Sequence, residues 1–219
     1  MIFSLFSQSQ ENFEQNLIKR EIYYEAEINE INIHLIYENI QVKKIYGNEI
    51  VIEVYSNNDT LLPQINHEKE ILKINGSVKK HTKGDFCSMV IYIPQENHCK
   101  SFSLLVKDNP VFINDLSIED LTIQAENSML EIKNIEVDFL LCETEKGDMK
   151  LSLNSTPKAI SEIKSKEGNI ELKLLENFEG SIIPFTDKGK LIDKRESYIK
   201  KEDVSQLFVE TIYGNIIIE

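Results

Sequence analysis

The chain has 219 residues and a formal net charge of −13, from 37 acidic and 24 basic side chains. Nucleic-acid phosphates and anionic lipids repel an acidic protein, so neither kind of partner is expected. Hydrophobic residues make up 41% of the sequence, which is enough for a core and excludes global disorder. No apolar run approaches the roughly 18 residues of a membrane span, and no secretory signal pattern opens the sequence, so the chain as written is expected to be cytoplasmic.

The first 20 residues are polar with scattered apolar positions, and they are predicted to form an N-terminal arm or cap. Phe13, Leu17 and Ile18 are compatible with one face of a short helix or with a loose arm. Apolar and polar residues begin to alternate at Ile22, which is the period of a strand with one buried face. Residues 21–219 are therefore predicted to form a single β domain.

A repeat of about 20 residues organises the stretch 104–177. Gly147, Gly168 and Gly189 are each 21 residues apart, and Ser128 lies 19 residues before Gly147. Each interval carries two short alternating strands separated by a polar corner. Self-similarity at this period indicates a repeat architecture, in which one unit cannot bury its apolar face alone. The pattern predicts an all-β, parallel solenoid with at least five rungs over about residues 31–219.

The alternation also predicts which side chains enter the core. The expected buried residues are Leu121, Ile123, Leu130, Ile132, Leu151, Leu153, Ile170, Leu172 and Leu174. The glycines and asparagines at the corners are expected to supply positive φ, which Gly adopts freely and Asn tolerates.

The C-terminal region breaks the repeat. Gly214 follows Gly189 by 25 residues, and the intervening segment Asp187–Asp203 is rich in lysine. We interpret this segment as a projecting, solvated loop, with contact to an acidic partner as the alternative. The chain stops on the apolar strand Ile216–Ile218, so the C-terminal rung is expected to be an open end that supports a weak homodimer.

Three strings resemble the T-x-x-G-D/N-I-x-I repeat of the bacterial DUF4097 family, whose members often carry the label of adhesin. They begin at Gly147, Gly168 and Gly214. The strand ending at Pro94 resembles the family's V-x-I-P strand, while Pro110 and Ser128 stand where glycine is commoner. The resemblance covers roughly residues 30–219. It implies a right-handed β-solenoid, an envelope-associated or extracellular location, and no established activity.

No residues are predicted as catalytic, cofactor-binding or metal-binding. His34, His67, His81 and His98 lie in different segments, and no nucleophile motif accompanies them. A metal site from His81, Cys87, His98 and Cys99 would match no zinc spacing. Three cysteines, with Cys142 as the third, argue against a disulfide framework. The carboxylates Glu143, Glu145 and Asp148 suggest calcium at a corner, but solvated corners are the preferred interpretation.

The function predicted from sequence is that of a non-enzymatic binding or scaffold protein with an unknown protein or glycan partner. A polysaccharide-active β-helix enzyme is the first alternative. It would require three or more ionisable side chains converging in a groove across adjacent rungs. Glu143, Lys164 and Glu171 are expected to face outward without converging. A self-assembling filament unit is the second alternative.

Overall fold

The computed structural model describes residues 17–24, 27–95, 99–195 and 205–219, and these residues form an all-β fold. A short 3-10 turn, Asp59–Leu61, accompanies the strands, and the Asn58 side chain caps it. The strands are β1 Leu17–Tyr24, β2 Glu30–Leu35, β3 Asn39–Ile45, β4 Glu49–Ser56, β5 Gln64–Glu68, β6 Ile71–Asn75, β7 Cys87–Pro94, β8 Ser101–Val106, β9 Val111–Asn114, β10 Ser117–Ala125, β11 Leu130–Lys146, β12 Met149–Leu153, β13 Ser161–Glu167, β14 Ile170–Leu174, β15 Ser181–Thr186, β16 Leu191–Asp193, β17 Gln206–Tyr213 and β18 Ile216–Ile218.

The strands form one continuous sheet that we divide into an A half and a B half. The A half has the order β1, β4, β7, β3, β9, the first part of β11, β12, β14, β18 and β16. The B half has the order β5, β6, β2, β8, β10, the second part of β11, β13, β17 and β15. A rung is one B strand, a corner and one A strand. From β6/β7 to β15/β16, neighbouring rungs pair in parallel.

The prediction of a purely parallel sheet is wrong at the N-terminal end of the stack. Strand β4 pairs antiparallel with β1 and with β7, and β5 pairs antiparallel with β6. The chain reverses after β3 at Gly47, whose φ is +128°, and again between β5 and β6 at Lys69, whose φ is +57°. Gly47 therefore serves a reversal within the A half rather than a corner between the two halves.

The predicted N-terminal arm is partly described. Leu17 and Ile18 belong to strand β1, so the helical alternative is wrong for them. Strand β1 also crosses the expected boundary at residue 20, and it pairs with β4 from Tyr55 to Glu49. Phe13 lies outside the described residues. The division of the chain at residue 20 stays a prediction.

The spatial order of the last rungs differs from their order along the chain. The C-terminal rung β17/β18 lies between β13/β14 and β15/β16. The prediction that the C-terminal strand is the open end is therefore wrong, because β15/β16 covers it. The predicted projecting loop is also wrong for its described part: residues 187–190 form a corner, and Leu191–Asp193 is strand β16.

The predicted core is confirmed. All nine side chains expected inside are buried, and they belong to one hydrophobic cluster to which both halves of the sheet contribute. Burying an Ile or Leu side chain contributes roughly 1.5–3 kcal/mol. Because each rung supplies only a few such side chains, its stability depends on the neighbouring rungs.

The glycine corners are explained by close packing rather than by φ alone. A Cβ on Gly168 would lie 2.0 Å from the carbonyl oxygen of Gly147, and a Cβ on Gly214 would lie 1.9 Å from that of Gly168. Among these corners only Gly147 has φ in the left-handed region, at +143°. The prediction that these glycines supply positive φ is thus wrong at Gly168 and Gly214, where the stacked backbone leaves no room for a side chain.

Candidate binding trough

The histidines and cysteines are dispersed. His34 is exposed on β2, His67 packs edge-on against Tyr23, and His81 packs against Tyr37. His98 lies outside the described residues. No group of three potential metal ligands occurs in residues 17–24, 27–95, 99–195 and 205–219.

All three cysteines are buried, and no disulfide joins any two of them. Burial raises the pKa of the Cys87 thiol to about 12, and the nearby Glu38 carboxylate acts in the same direction. Burial also raises the pKa of the Cys142 thiol to about 12. Because the thiolate is the reactive form, these two side chains are poor nucleophiles at neutral pH.

The outward-facing residues singled out from the sequence meet only in part. Glu143 and Lys164 pair in register on neighbouring B strands and line a groove of about 390 Å³ that also includes Glu145. Glu171 lies in the A half instead, where its carboxylate is 3.2 Å from the Lys150 ammonium. Asp148 accepts two hydrogen bonds from Asn169, which gives it a structural role at the corner.

A larger concave surface lies on the side of the stack where A strands return to B strands. Two adjoining cavities, of about 800 and 540 Å³, share Ser155, Thr156 and Lys158. We call the combined surface the return trough. The other residues lining it are Asn29, Gln95, Cys99, Lys100, Ser117, Ile118, Glu119, Glu136, Val137, Asp138, Asn154, Pro157, Leu175, Asn177, Glu179 and Ser205.

Hydrogen bonds between rungs hold the floor of the trough in place. The amide of Val137 donates to Ser155 Oγ at 3.1 Å, and the amides of Lys158 and Ala159 both donate to the Asp138 carbonyl at 2.9 Å. Further along, the Glu179 amide donates to Thr156 Oγ1 at 3.0 Å. These contacts fix the backbone, so the side chains project from a rigid support.

Most of the side chains that line the trough can form hydrogen bonds. The trough carries four carboxylates against two ammonium groups, and the remaining polar side chains are hydroxyls and amides. The Lys158 ammonium lies 2.7 Å from the Asp138 carboxylate. Glu119 and Glu136 are exposed on the neighbouring strands. The trough is therefore rich in hydrogen-bonding side chains, mildly acidic and open to water.

The trough was not predicted from the sequence, although the sequence contains a signal for it. Glu119 and Asp138 are 19 residues apart, as are Ser117 and Glu136, which pair in register. This interval matches the spacing of Ser128 and Gly147. Aligning the strand starts as well as the corners would have placed these side chains side by side.

The repeat, the rungs and the corners match a known family. A family model described as Toastrack DUF4097 matches residues 28–184. The chain belongs to the Toastrack DUF4097 family. The predicted resemblance is thereby confirmed, and most of the return trough lies within the matched Toastrack region.

Solved structures support the Toastrack fold. A candidate cell adhesion protein from Clostridium sporogenes ATCC 15579 is 14% identical with a TM-score of 0.50, covering 91% of this chain and 98% of its own. A candidate adhesin from Bacteroides fragilis NCTC 9343 gives the same identity and TM-score, covering 92% and 96%. The comparison with curated proteins finds no match. Among the described residues, no helix has the length and apolar character to cross a membrane.

Proposed function

We propose that this Toastrack protein is a non-enzymatic, adhesin-like binding protein whose return trough holds an extended glycan. The observation that carries the proposal is the trough itself, a continuous polar surface built from successive rungs. The names of the two similar structures support adhesion as the general role. By the same resemblance we infer an envelope-associated or extracellular location, and a right-handed winding of the rungs.

The chemistry of the lining favours a glycan over a peptide. Carboxylates, amides and hydroxyls can accept and donate many hydrogen bonds to sugar hydroxyls. Peptide recognition relies on apolar anchor pockets or on an added strand. The lining has few apolar side chains, among them Ile118, Val137 and Leu175, and its strand starts already pair with neighbouring rungs. A peptide is thus the less suitable occupant.

A glycan-array screen followed by calorimetry with the best hit tests the proposal. The double variant Glu119→Gln, Glu136→Gln removes two carboxylates from the trough while keeping their size, and it should weaken binding at least tenfold. The matched control Glu131→Gln, Glu171→Gln makes the same change on the outer face of the A half and should bind normally. Equal binding by both variants, or no glycan bound by the wild type, would contradict the proposal.

A polysaccharide-active enzyme is the second candidate, because three carboxylates lie in the same groove. Glu119, Glu136 and Asp138 line one groove across adjacent rungs. We prefer binding because a catalytic acid is normally sheltered from water, whereas Glu119 and Glu136 are exposed. Release of reducing sugar from a panel of bacterial and plant glycans, abolished by Glu136→Gln, would favour the enzyme. The expected absence of a bound metal or cofactor stays a prediction.

A further inference from the structure

The outer face of the A half is buried at the N-terminal end of the stack. On β4 and β7, the residues that point away from the core include Val51, Tyr55 and Val90, which are only 3%, 8% and 6% exposed. None of the three belongs to the main hydrophobic cluster, and we call them the outer cluster. Strands β4 and β7 are therefore buried on both faces, which agrees with their near-continuous apolar sequences.

The later A strands do not share this burial. On β9, β12, β14, β16, β18 and the first part of β11, every described outward side chain keeps contact with water. Even Phe112, which lies at the margin of the outer cluster on β9, is only half-buried. Neighbours on the same face of a sheet are thus not enough to bury a large outward side chain here, and the outer cluster requires a cover.

Polar groups on the same face bond to one another rather than to bulk water. The Tyr55 hydroxyl donates to one oxygen of the Glu53 carboxylate at 2.7 Å, and the Arg20 guanidinium lies 3.5 Å from the other oxygen. Burial raises the pKa of the Tyr92 phenol, and the Glu53 carboxylate acts in the same direction. A covered face needs such pairing, because a buried polar group without a partner is costly.

The segment that precedes β1 has the composition and the length to cover this face. Residues 1–16 lie outside the described residues, and they lead directly into β1, which pairs with β4 beside the outer cluster. They include five large apolar side chains and no lysine or arginine, the apolar residues being Ile2, Phe3, Leu5, Phe6 and Phe13. Sixteen extended residues span up to roughly 50 Å. The four strand spacings from β1 to β9 amount to about 19 Å.

We propose that residues 1–16 pack across the outer face of β4 and β7 and bury the outer cluster, so that the chain supplies its own partner for this face. The other segments outside the described residues fit poorly: 25–26 and 96–98 are too short, and 196–204 follow β16 at the opposite end of the stack. Attachment to β1 also favours this segment over a second copy, since a tethered group has an effective concentration of about millimolar. No residue of the outer cluster lines the return trough, so the two proposals fail independently.

Photo-cross-linking in the full chain tests the position of the segment. p-Benzoylphenylalanine replaces Phe6 in one variant and Phe13 in another, and mass spectrometry maps the linked peptides after irradiation. Each probe should link to residues 49–56 or 87–94 of the same molecule. The same probe at Phe185, which is exposed on β15, is the control and should link to neither strand. Links only to other strands, links only between two copies, or no link at all would overturn the proposal.

Hydrogen exchange measured by mass spectrometry gives an independent test. Val90→Gln places an amide beneath the segment, so the backbone amides of residues 1–16 should exchange at least tenfold faster than in the wild type. The matched control Lys150→Gln lies on the outer face of β12, beyond the outer cluster, and should leave the exchange rates unchanged. Wild-type exchange as fast as in an unstructured chain, or equal effects of the two variants, would overturn the proposal. Should Val90→Gln fail to fold, the cross-links decide.

Discussion

At the corners, equivalent residues of successive rungs form three parallel columns, one of threonine, one of glycine and one of asparagine. Hydrogen bonds in the threonine and asparagine columns join one rung to the next. The hydroxyls of Thr211 and Thr186 donate to the carbonyl oxygens of Gly168 and Gly214, each at 2.9 Å. Next to them, the Asn215 amide donates to Asn169 Oδ1 at 2.9 Å. Glycine stands between these two columns because the corner backbones are in close contact. The T-x-x-G-N string is thus a structural motif, and it carries no implication of a ligand site.

Replacing Gly168 by alanine tests the steric argument. The new Cβ would lie 2.0 Å from the Gly147 carbonyl oxygen, so the backbone must shift, and we expect a loss of roughly 1–3 kcal/mol in the free energy of unfolding. Ser128→Ala in the same column keeps a Cβ that the structure already accommodates. It removes only the hydrogen bond to the Lys107 carbonyl, at a cost of about 1 kcal/mol. Urea melts measure both, and equal losses would contradict the argument.

Glu38 is the charged side chain that the described fold buries completely. Its position, two residues before Ile40, corresponds by register to Ser128 and Gly147. The carboxylate accepts hydrogen bonds from three backbone amides, those of Ile36 and Tyr37 at one oxygen and that of Ser77 at the other. At this rung the backbone amides of the corner donate to a buried carboxylate. The later corners have a glycine packed against a backbone carbonyl instead.

Glu38→Gln should therefore be costly although it preserves shape. An amide group has one acceptor oxygen, so its NH₂ must face at least one backbone N–H, and an unsatisfied buried donor costs roughly 1–3 kcal/mol. The matched change Glu145→Gln lies at an exposed position and should cost under about 0.5 kcal/mol. Thermal unfolding of the two variants is the measurement, and a neutral Glu38→Gln would show that the carboxylate is dispensable.

At the scale of the strand, alternation determines which side faces the core. Leu172 is fully buried between Leu151 and Ile218, whereas Glu171 faces water beside Lys150. We expect Leu172→Ala to destabilise the protein by roughly 2–5 kcal/mol, because it leaves a cavity between stacked rungs. Glu171→Ala should cost under about 0.5 kcal/mol, since an exposed ion pair contributes little. Similar shifts in the urea midpoint for both variants would refute the alternation.

The strands and corners were predictable because they depend on neighbouring residues in the sequence. The period-2 pattern placed Leu151, Ile170 and Leu172 correctly, and the 21-residue spacing placed Gly147 and Gly168 in adjacent corners. The same spacing predicted that the corner at Gly189 stacks on the corner at Gly168. This was wrong, because the corner at Gly214 occupies that place. The spatial order of the rungs depends instead on which rung can occupy the exposed end of the stack. The return trough was missed because it forms only when distant return loops come side by side.

For the whole molecule, the exchanged positions of the last two rungs follow from their composition. Rung β17/β18 contributes Leu207, Val209, Ile216 and Ile218 to the core, all buried. Rung β15/β16 has Pro184 and Asp193 in the corresponding inward columns. Placing Asp193 inside the stack would bury its ion pair with Arg195, and removing two charges from water is costly even when they are paired. The apolar rung therefore takes the interior position, although it comes later in the chain.

We expect this order to cause a slow step in folding, because β17/β18 has to pack against β13/β14 before β15/β16 can complete the stack. A chain in which residues 175–195 and 205–219 exchange places would present the rungs in their spatial order. We expect this variant to keep its cooperative unfolding and to refold faster than the wild type, since its rung contacts are more local. Stopped-flow refolding from urea measures the rate. A variant that folds but refolds no faster would show that the observed order does not limit folding.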